Sequence, residues 1–132
     1  MIGYVTFGTD DLDRSREYFD ALFSTIGGRR LMELQSGFTM YGTAMNRPAV
    51  VVTPPYDKQP AQTGNGNMVA LVMDSREKVD AFHAKALELG GTNEGDPGYR
   101  GDPKFGYYFG YFRDPDGHKF AAFTIAPEPA AG

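Results

Sequence analysis

The 132-residue sequence contains no cysteine, no tryptophan and only two histidines, His83 and His118. Without thiols, disulfides, thiolate chemistry and sulfur-based zinc sites are excluded. Neither histidine has a second imidazole at helix or strand spacing; His83 is expected on the flank of a helix and His118 at the solvent edge of a turn. No stretch approaches the roughly 18 apolar residues of a membrane helix, so no membrane partner is expected. An excess of positive charge is missing too. The net charge is −4, and the nearest basic cluster, Arg29-Arg30, is followed by Glu33, which argues against a nucleic-acid partner. No phosphate-binding loop is present, since Gly64-Asn65-Gly66 precedes a strand and not a helix. Ser15, Ser24, Ser36 and Ser75 have no histidine placed to activate them. Met1-Ile2-Gly3-Tyr4 enters a strand pattern with no charged leader, so a cytoplasmic location is expected.

What is present is an ordinary globular composition, 41% hydrophobic and 23% charged, with ten Phe and eight Tyr. Its length suits one domain, or two half-size units sharing one core. The chain repeats itself once. Tyr4-Val5-Thr6-Phe7-Gly8-Thr9-Asp10 reads as a strand closed by Asp; Leu12, Phe19, Leu22 and Ile26 follow at helical spacing, and Gly27-Gly28 ends the run. Met68-Val69-Ala70-Leu71-Val72-Met73-Asp74 begins the second copy, followed by Val79, Phe82, Ala86 and Leu89 and then Gly90-Gly91. The offset is 64 residues between Tyr4 and Met68 and 63 between the glycine pairs. Asp10 or Asp11 can cap the first helix, and Asp74 or Ser75 the second. Glycine at each C-terminus permits a left-handed cap.

Strand-rich sequence follows each helix. The first half predicts strands near 29–35, 38–43 and 49–53. The second predicts a short strand after Thr92, then 107–113 and 119–125, the last two joined by the hairpin signal Arg113-Asp114-Pro115-Asp116-Gly117. Residues 94–105 read as a long loop, Pro54 to Asn67 as a linker, and the tail from Pro127 as frayed. Module one thus spans about 1–54, the linker 55–66, module two about 67–126 and the tail 127–132. The paired carboxylates Asp10-Asp11 and Asp114/Asp116 are accounted for by a helix cap and a turn. The predicted fold class is α+β, two tandem βαβββ modules with curved mixed sheets. Each helix covers one sheet face, and two modules side by side would turn their open faces into a small-molecule cup.

This layout resembles the glyoxalase/bleomycin-resistance/dioxygenase superfamily, also called the vicinal oxygen chelate fold. The resemblance is carried by residues 4–15, by Ser75-Arg76-Glu77-Lys78-Val79-Asp80-Ala81-Phe82-His83, and by Phe112-Arg113-Asp114-Pro115-Asp116-Gly117-His118. It implies that enzymatic members hold one divalent metal with His or Glu from strands of both modules. The corresponding positions here are Tyr4, Met68 and Ala121, and the fourth strand of module one, Ala49-Val50-Val51-Val52-Thr53, has no carboxylate or imidazole. Methionine and alanine cannot supply the three or four converging donors that such an ion needs, and neutral tyrosine is a poor ligand for it. No metal and no cofactor is therefore expected.

Strand alternation sorts the side chains. Val5 and Phe7 should pack under the first helix, with Tyr4 and Thr6 on the open side. Val69, Leu71 and Met73 should lie under the second helix, leaving Met68, Ala70 and Val72 open. On the last strand Phe120, Ala122 and Thr124 face the helix, and Lys119, Ala121 and Phe123 face inward. Tyr107, Phe109 and Tyr111 should alternate onto the open side, with Tyr108 and Phe112 in the core. The expected ligand-binding residues are Tyr4, Thr6, Met68, Ala70, Arg100, Tyr107, Phe109, Tyr111, Ala121 and Phe123. Tyr4 serves equally as a core tyrosine, and Arg100 as a solvated loop residue or an anion clamp. Such a lining suits a flat, partly apolar small molecule.

The resemblance also supplies the precedent of bleomycin-resistance proteins, which bind a drug with no catalytic metal. The expected function is binding of a small organic molecule, with a metal-dependent glyoxalase-type lyase or dioxygenase, or an interaction module, as alternatives. A homodimer is the expected assembly.

Overall fold

A computed structural model describes residues 1–127. The chain divides into two compact units, Met1–Asn65 and a second beginning at Gly66.

Unit one consists of β1 (Tyr4–Gly8), α1 (Leu12–Ser24), β2 (Arg29–Glu33), β3 (Thr39–Gly42) and β4 (Ala49–Thr53). Its sheet has the order β1-β4-β3-β2, with β1 parallel to β4 and the other pairs antiparallel. Unit two repeats the plan: β5 (Val69–Val72), α2 (Arg76–Glu88), β6 (Thr92–Tyr99), β7 (Tyr107–Arg113) and β8 (Lys119–Ile125), in the order β5-β8-β7-β6. The fold is α+β, with two helices and two open four-stranded mixed sheets.

The two helices begin and end by the same devices. Asp11 caps α1 by accepting from the Arg14 N–H at 3.1 Å, and Ser75 caps α2 by accepting from the Lys78 N–H at 3.2 Å. Asp74, the other candidate cap, pairs instead with Lys78 at 2.7 Å. At the C-termini Gly27 and Gly90 adopt positive φ, +79° and +114°. The following N–H then reaches back to a helical carbonyl, Gly28 to Phe23 at 2.8 Å and Gly91 to Ala86 at 2.9 Å. This is the six-to-one closure that satisfies otherwise orphaned carbonyls.

Each helix packs on one face of its own sheet. In unit one Phe19, Leu22 and Phe23 are buried with Tyr41, Val50 and Val52; Phe19 and Phe23 stack at 5.1 Å. In unit two Val79, Phe82 and Ala86 are buried with Phe112, Phe120 and Ala122, and Phe112 stacks on Phe120 at 5.4 Å. Burying each such side chain stabilises the fold by about 1.5–3 kcal/mol. A tyrosine on the third strand ties each sheet to its helix: Tyr41 donates to Asp20 at 2.7 Å and Tyr108 to Asp80 at 2.6 Å.

Three expectations need correction. Residues 94–105 are not one long loop, because Thr92–Tyr99 forms β6 and Pro103–Phe105 a 3-10 turn. Its register against β7 shifts between Asn93 and Gly95 and again between Gly95 and Gly98, which is how an outer strand accommodates Gly and Pro. His118 is not at the solvent edge but only 6% exposed. The hairpin folds back on itself there: Asp114 N–H donates to the His118 carbonyl at 2.9 Å, and the Asp114 carboxylate accepts from the Asp116 and His118 N–H groups. His83 is buried rather than placed on a flank, with Nε2 3.0 Å from the Tyr111 carbonyl and 3.1 Å from Asn93 Oδ1. The first-half strands 29–35 and 38–43 are each shorter than expected, whereas β4, β7 and β8 have the expected bounds. Apart from Pro127, the C-terminal tail lies outside the described residues.

Candidate functional site

The side chains of interest lie on the sheet faces turned away from the helices. In unit two the register fixes them in rows. Ala70, Ala121 and Tyr111 are aligned across β5, β8 and β7; Val72, Phe123 and Phe109 form the next row, and Ile125 and Tyr107 the next. Cross-strand neighbours on one face are the contacting pairs of a sheet, and here they are stacked rings. Phe109 and Phe123 lie 4.8 Å apart at 12°, Phe109 and Tyr111 6.0 Å apart at 23°.

Phe109, Tyr111 and Phe123 are half-buried, while Met68, Ala70 and Tyr107 are exposed. Ala121 is 0% exposed, so it forms the floor beneath larger neighbours. Val72, at the edge of the row it shares with Phe123 and Phe109, is 72% exposed. Arg100 lies against the face, with its guanidinium 5.2 Å from the Tyr111 centroid and Nη2 donating to the Asp96 carbonyl at 2.7 Å. Lys119 places its ammonium 5.4 Å from the same ring. The alternation pattern already marks Lys119 as facing this side, but its role becomes visible only beside Arg100.

In unit one the equivalent face carries Tyr4 and Thr6, both exposed, in register with Ala49 and Val51. Met40 pairs with Val51 and joins Ala49 in a small buried cluster covered by Leu31 and Phe38. Tyr4 is 52% exposed, its ring edge-on to Phe38 at 5.8 Å. Its ring therefore lies at the surface beside Phe38 and not in the core. The Leu31 contribution could not be read from alternation, because β2 bulges between Arg30 and Met32.

The perturbed groups lie elsewhere. Asp114 is pushed up to about 6, chiefly because burial disfavours its charge, and hydrogen bonds from the backbone only partly oppose this. Tyr108 is pushed up to about 12 by its hydrogen bond to Asp80. Tyr41 is raised further, by burial and by Asp20. Burial would raise Asp20, but hydrogen bonds from Arg30 and Tyr41 more than offset it and hold the carboxyl below its ordinary value. These groups join helix to sheet or close a turn, and none lies on the open faces.

A divalent cation of the kind found in related enzymes does not fit these side chains. Among the described residues no three His, Cys, Asp or Glu cluster to hold a metal. Tyr4, Met68 and Ala121, at the positions that resemble the usual ligands, offer one neutral hydroxyl, one thioether and a methyl group. Both imidazoles are buried inside unit two.

A profile of the Glyoxalase/Bleomycin resistance protein/Dioxygenase superfamily matches residues 1–122. The chain belongs to this superfamily. Among solved structures, a glyoxalase/bleomycin resistance protein from Albidiferax ferrireducens is 35% identical, with 96% of this chain and 99% of that chain covered and a TM-score of 0.83. The fosfomycin resistance protein FosX from Listeria monocytogenes shares the fold at 19% identity, with 96% and 93% covered and a TM-score of 0.70. TioX from Micromonospora does so at 17% identity, with 96% and 99% covered and a TM-score of 0.69. No curated protein matches the chain. Members of the superfamily generally bind small molecules and often form dimers, and no helix among the described residues is long and apolar enough to cross a membrane.

Proposed function

We propose that this superfamily member binds a small, planar, partly apolar organic molecule on its open sheet faces, without a catalytic metal. The observation that carries this reading is the stacked set Tyr111, Phe109 and Phe123, left half-buried on the sheet face turned away from α2. Half-buried rings packed side by side present an apolar aromatic surface that a flat ligand can cover. Met68, Ala70, Tyr107 and Ala121 supply apolar margin and floor, Tyr4 and Thr6 supply hydroxyls in unit one, and Arg100 a charge. The relatives named for resistance to bleomycin and to fosfomycin support binding of a small molecule as a role for this chain. The reading includes a homodimer in the cytoplasm, supported by the exposed apolar side chains Val72, Ile125, Tyr107 and Phe105 on unit two.

The test is a thermal-shift screen of the purified protein against flat organic molecules, with bound metal measured in parallel. A binding ligand at 100 times its Kd should stabilise the fold by about 2.7 kcal/mol. Phe109→Ala should abolish that shift while the unliganded protein still melts cooperatively. A ligand shift that survives Phe109→Ala would overturn the assignment of this face, and a stoichiometric transition metal required for activity would overturn the metal-free reading.

A further inference from the structure

The Tyr111 ring is flanked by two cations, the Arg100 guanidinium at 5.2 Å and the Lys119 ammonium at 5.4 Å. Both side chains are half-buried. Among the described residues neither has a carboxylate partner, although Arg30, Lys78, Lys85, Lys104 and Arg113 each have one. The nearby acidic groups are engaged: the Asp96 carboxylate accepts from Asn93 Nδ2 at 2.7 Å, and Glu94 binds Arg113 at 2.6 Å. In a chain of net charge −4, two cations set against one ring without a carboxylate partner are not the by-product of a basic surface. An anion bound beside Tyr111 would be attracted by both.

The backbone makes room for this arrangement. A Cβ at Gly95 would stand 3.0 Å from Tyr111 Cδ2 and 3.4 Å from Arg100 Nη2, and one at Gly98 would stand 3.3 Å from Nη1. The guanidinium thus rests on bare strand β6 and against the Tyr111 ring, where a side chain at 95 or 98 would displace it. Its planar fork is suited to two parallel hydrogen bonds to an oxyanion. Directly beside Tyr111 runs the stack of Phe109 on Phe123.

We infer that Arg100 and Lys119 form an oxyanion subsite, so that the ligand carries a carboxylate, phosphate or phosphonate next to a flat apolar part. The anion sits at Tyr111 and the flat part lies against the rings of Phe109 and Phe123. This rests on the ligand-binding reading above and specifies the class of ligand. Gly95 and Gly98 act as positioning residues for Arg100.

The test is calorimetric titration at low salt with benzoate, 2-naphthoate and 1-pyrenecarboxylate, each paired with its neutral primary amide. At least one acid should bind roughly ten-fold or more tightly than its amide, the scale of one charge-assisted hydrogen bond. Arg100→Gln and Lys119→Gln should each remove most of that difference by weakening the acid far more than the amide, with circular dichroism confirming the fold. Gly98→Ala should reduce the difference in part, and inorganic phosphate should compete with the acid. Acids and amides binding equally would overturn the subsite and leave the apolar binding reading standing. Failure of every acid and amide to bind would overturn both.

Discussion

Unit one and unit two share a frame and differ on the face that the frame leaves open. In both, the helix starts on a polar cap, ends at a glycine of positive φ and is tied to the third strand by a tyrosine–aspartate hydrogen bond. On the open face unit one fills its centre with Met40, Ala49 and Val51 under Leu31 and Phe38. Unit two instead lays out aromatic rings flanked by Arg100 and Lys119. The helix side is held by packing that tolerates little change, whereas the open side is free to acquire chemistry. Function is therefore to be sought where the two halves disagree.

The strongest way to break this equivalence is to remove a core ring from each half. Phe19→Ala and Phe82→Ala should each destabilise the protein by about 3–5 kcal/mol in denaturant titrations, since both rings are buried beneath a helix. A cost under about 1 kcal/mol at either site would show that the halves are not held alike.

The tyrosine–aspartate ties should separate the halves by degree. Asp20 also receives two hydrogen bonds from Arg30, at 2.8 and 2.7 Å, so Asp20→Ala should cost about 1–3 kcal/mol at neutral pH. Asp80→Ala, which removes a single exposed bond, should cost about 1 kcal/mol or less. Because the folded carboxyl of Asp20 titrates below its ordinary 3.8, its contribution is complete above that pH and is lost as pH falls through the lower folded value. The difference between wild type and Asp20→Ala should shrink accordingly in acid. An equal cost for the two variants would remove the distinction.

Gly27→Ala and Gly90→Ala test the shared helix ends. Nothing lies within 4 Å of a Cβ at either position, so the whole effect is that of a left-handed backbone, about 1 kcal/mol each. Unequal values, read from urea midpoints, would mean that the two caps are not the same device.

A further difference between the halves lies in the shape of a pH profile. The Asp114 carboxyl titrates near 6 in the folded chain against an ordinary 3.8. Between these values the unfolded state ionises while the native state keeps its proton, so this group lowers stability as pH rises through that window and leaves it level above. Asp114→Asn retains an oxygen for the two turn N–H groups, and its stability should exceed wild type increasingly from pH 4 to 6. A constant difference across that range would show that Asp114 is not the titrating group. Unit one has no counterpart to this buried turn carboxylate in the described perturbed groups.

The repeat, both helices and the bounds of β4, β7 and β8 were legible because they rest on short-range signals: caps, glycine pairs, alternation and a Pro-Asp-Gly turn. Strand β6 was not, because Gly95, Pro97 and Gly98 carry the composition of a loop, and only pairing with β7 makes the segment extended. The burial of His118 is hidden from the sequence for a similar reason. Its burial comes from a hairpin that closes on the Asp114 side chain, a tertiary effect with no periodicity. Alternation alone placed Phe109, Tyr111 and Phe123 on one side, but it could not show that Arg100 returns from beyond β6 to rest on Tyr111.

The broken pairing of β6 has a consequence for the protein's behaviour in solution. As the outermost strand of its sheet, β6 carries unpaired backbone groups, yet its two register slips and Pro97 interrupt any continuous ladder that a passing chain could extend. The outer strand β2, with its own slip and its charged Arg29, Arg30 and Glu33, is guarded likewise. Irregular strands at these two edges resist the addition of further copies there, which leaves the aromatic face beside β6 accessible from that side.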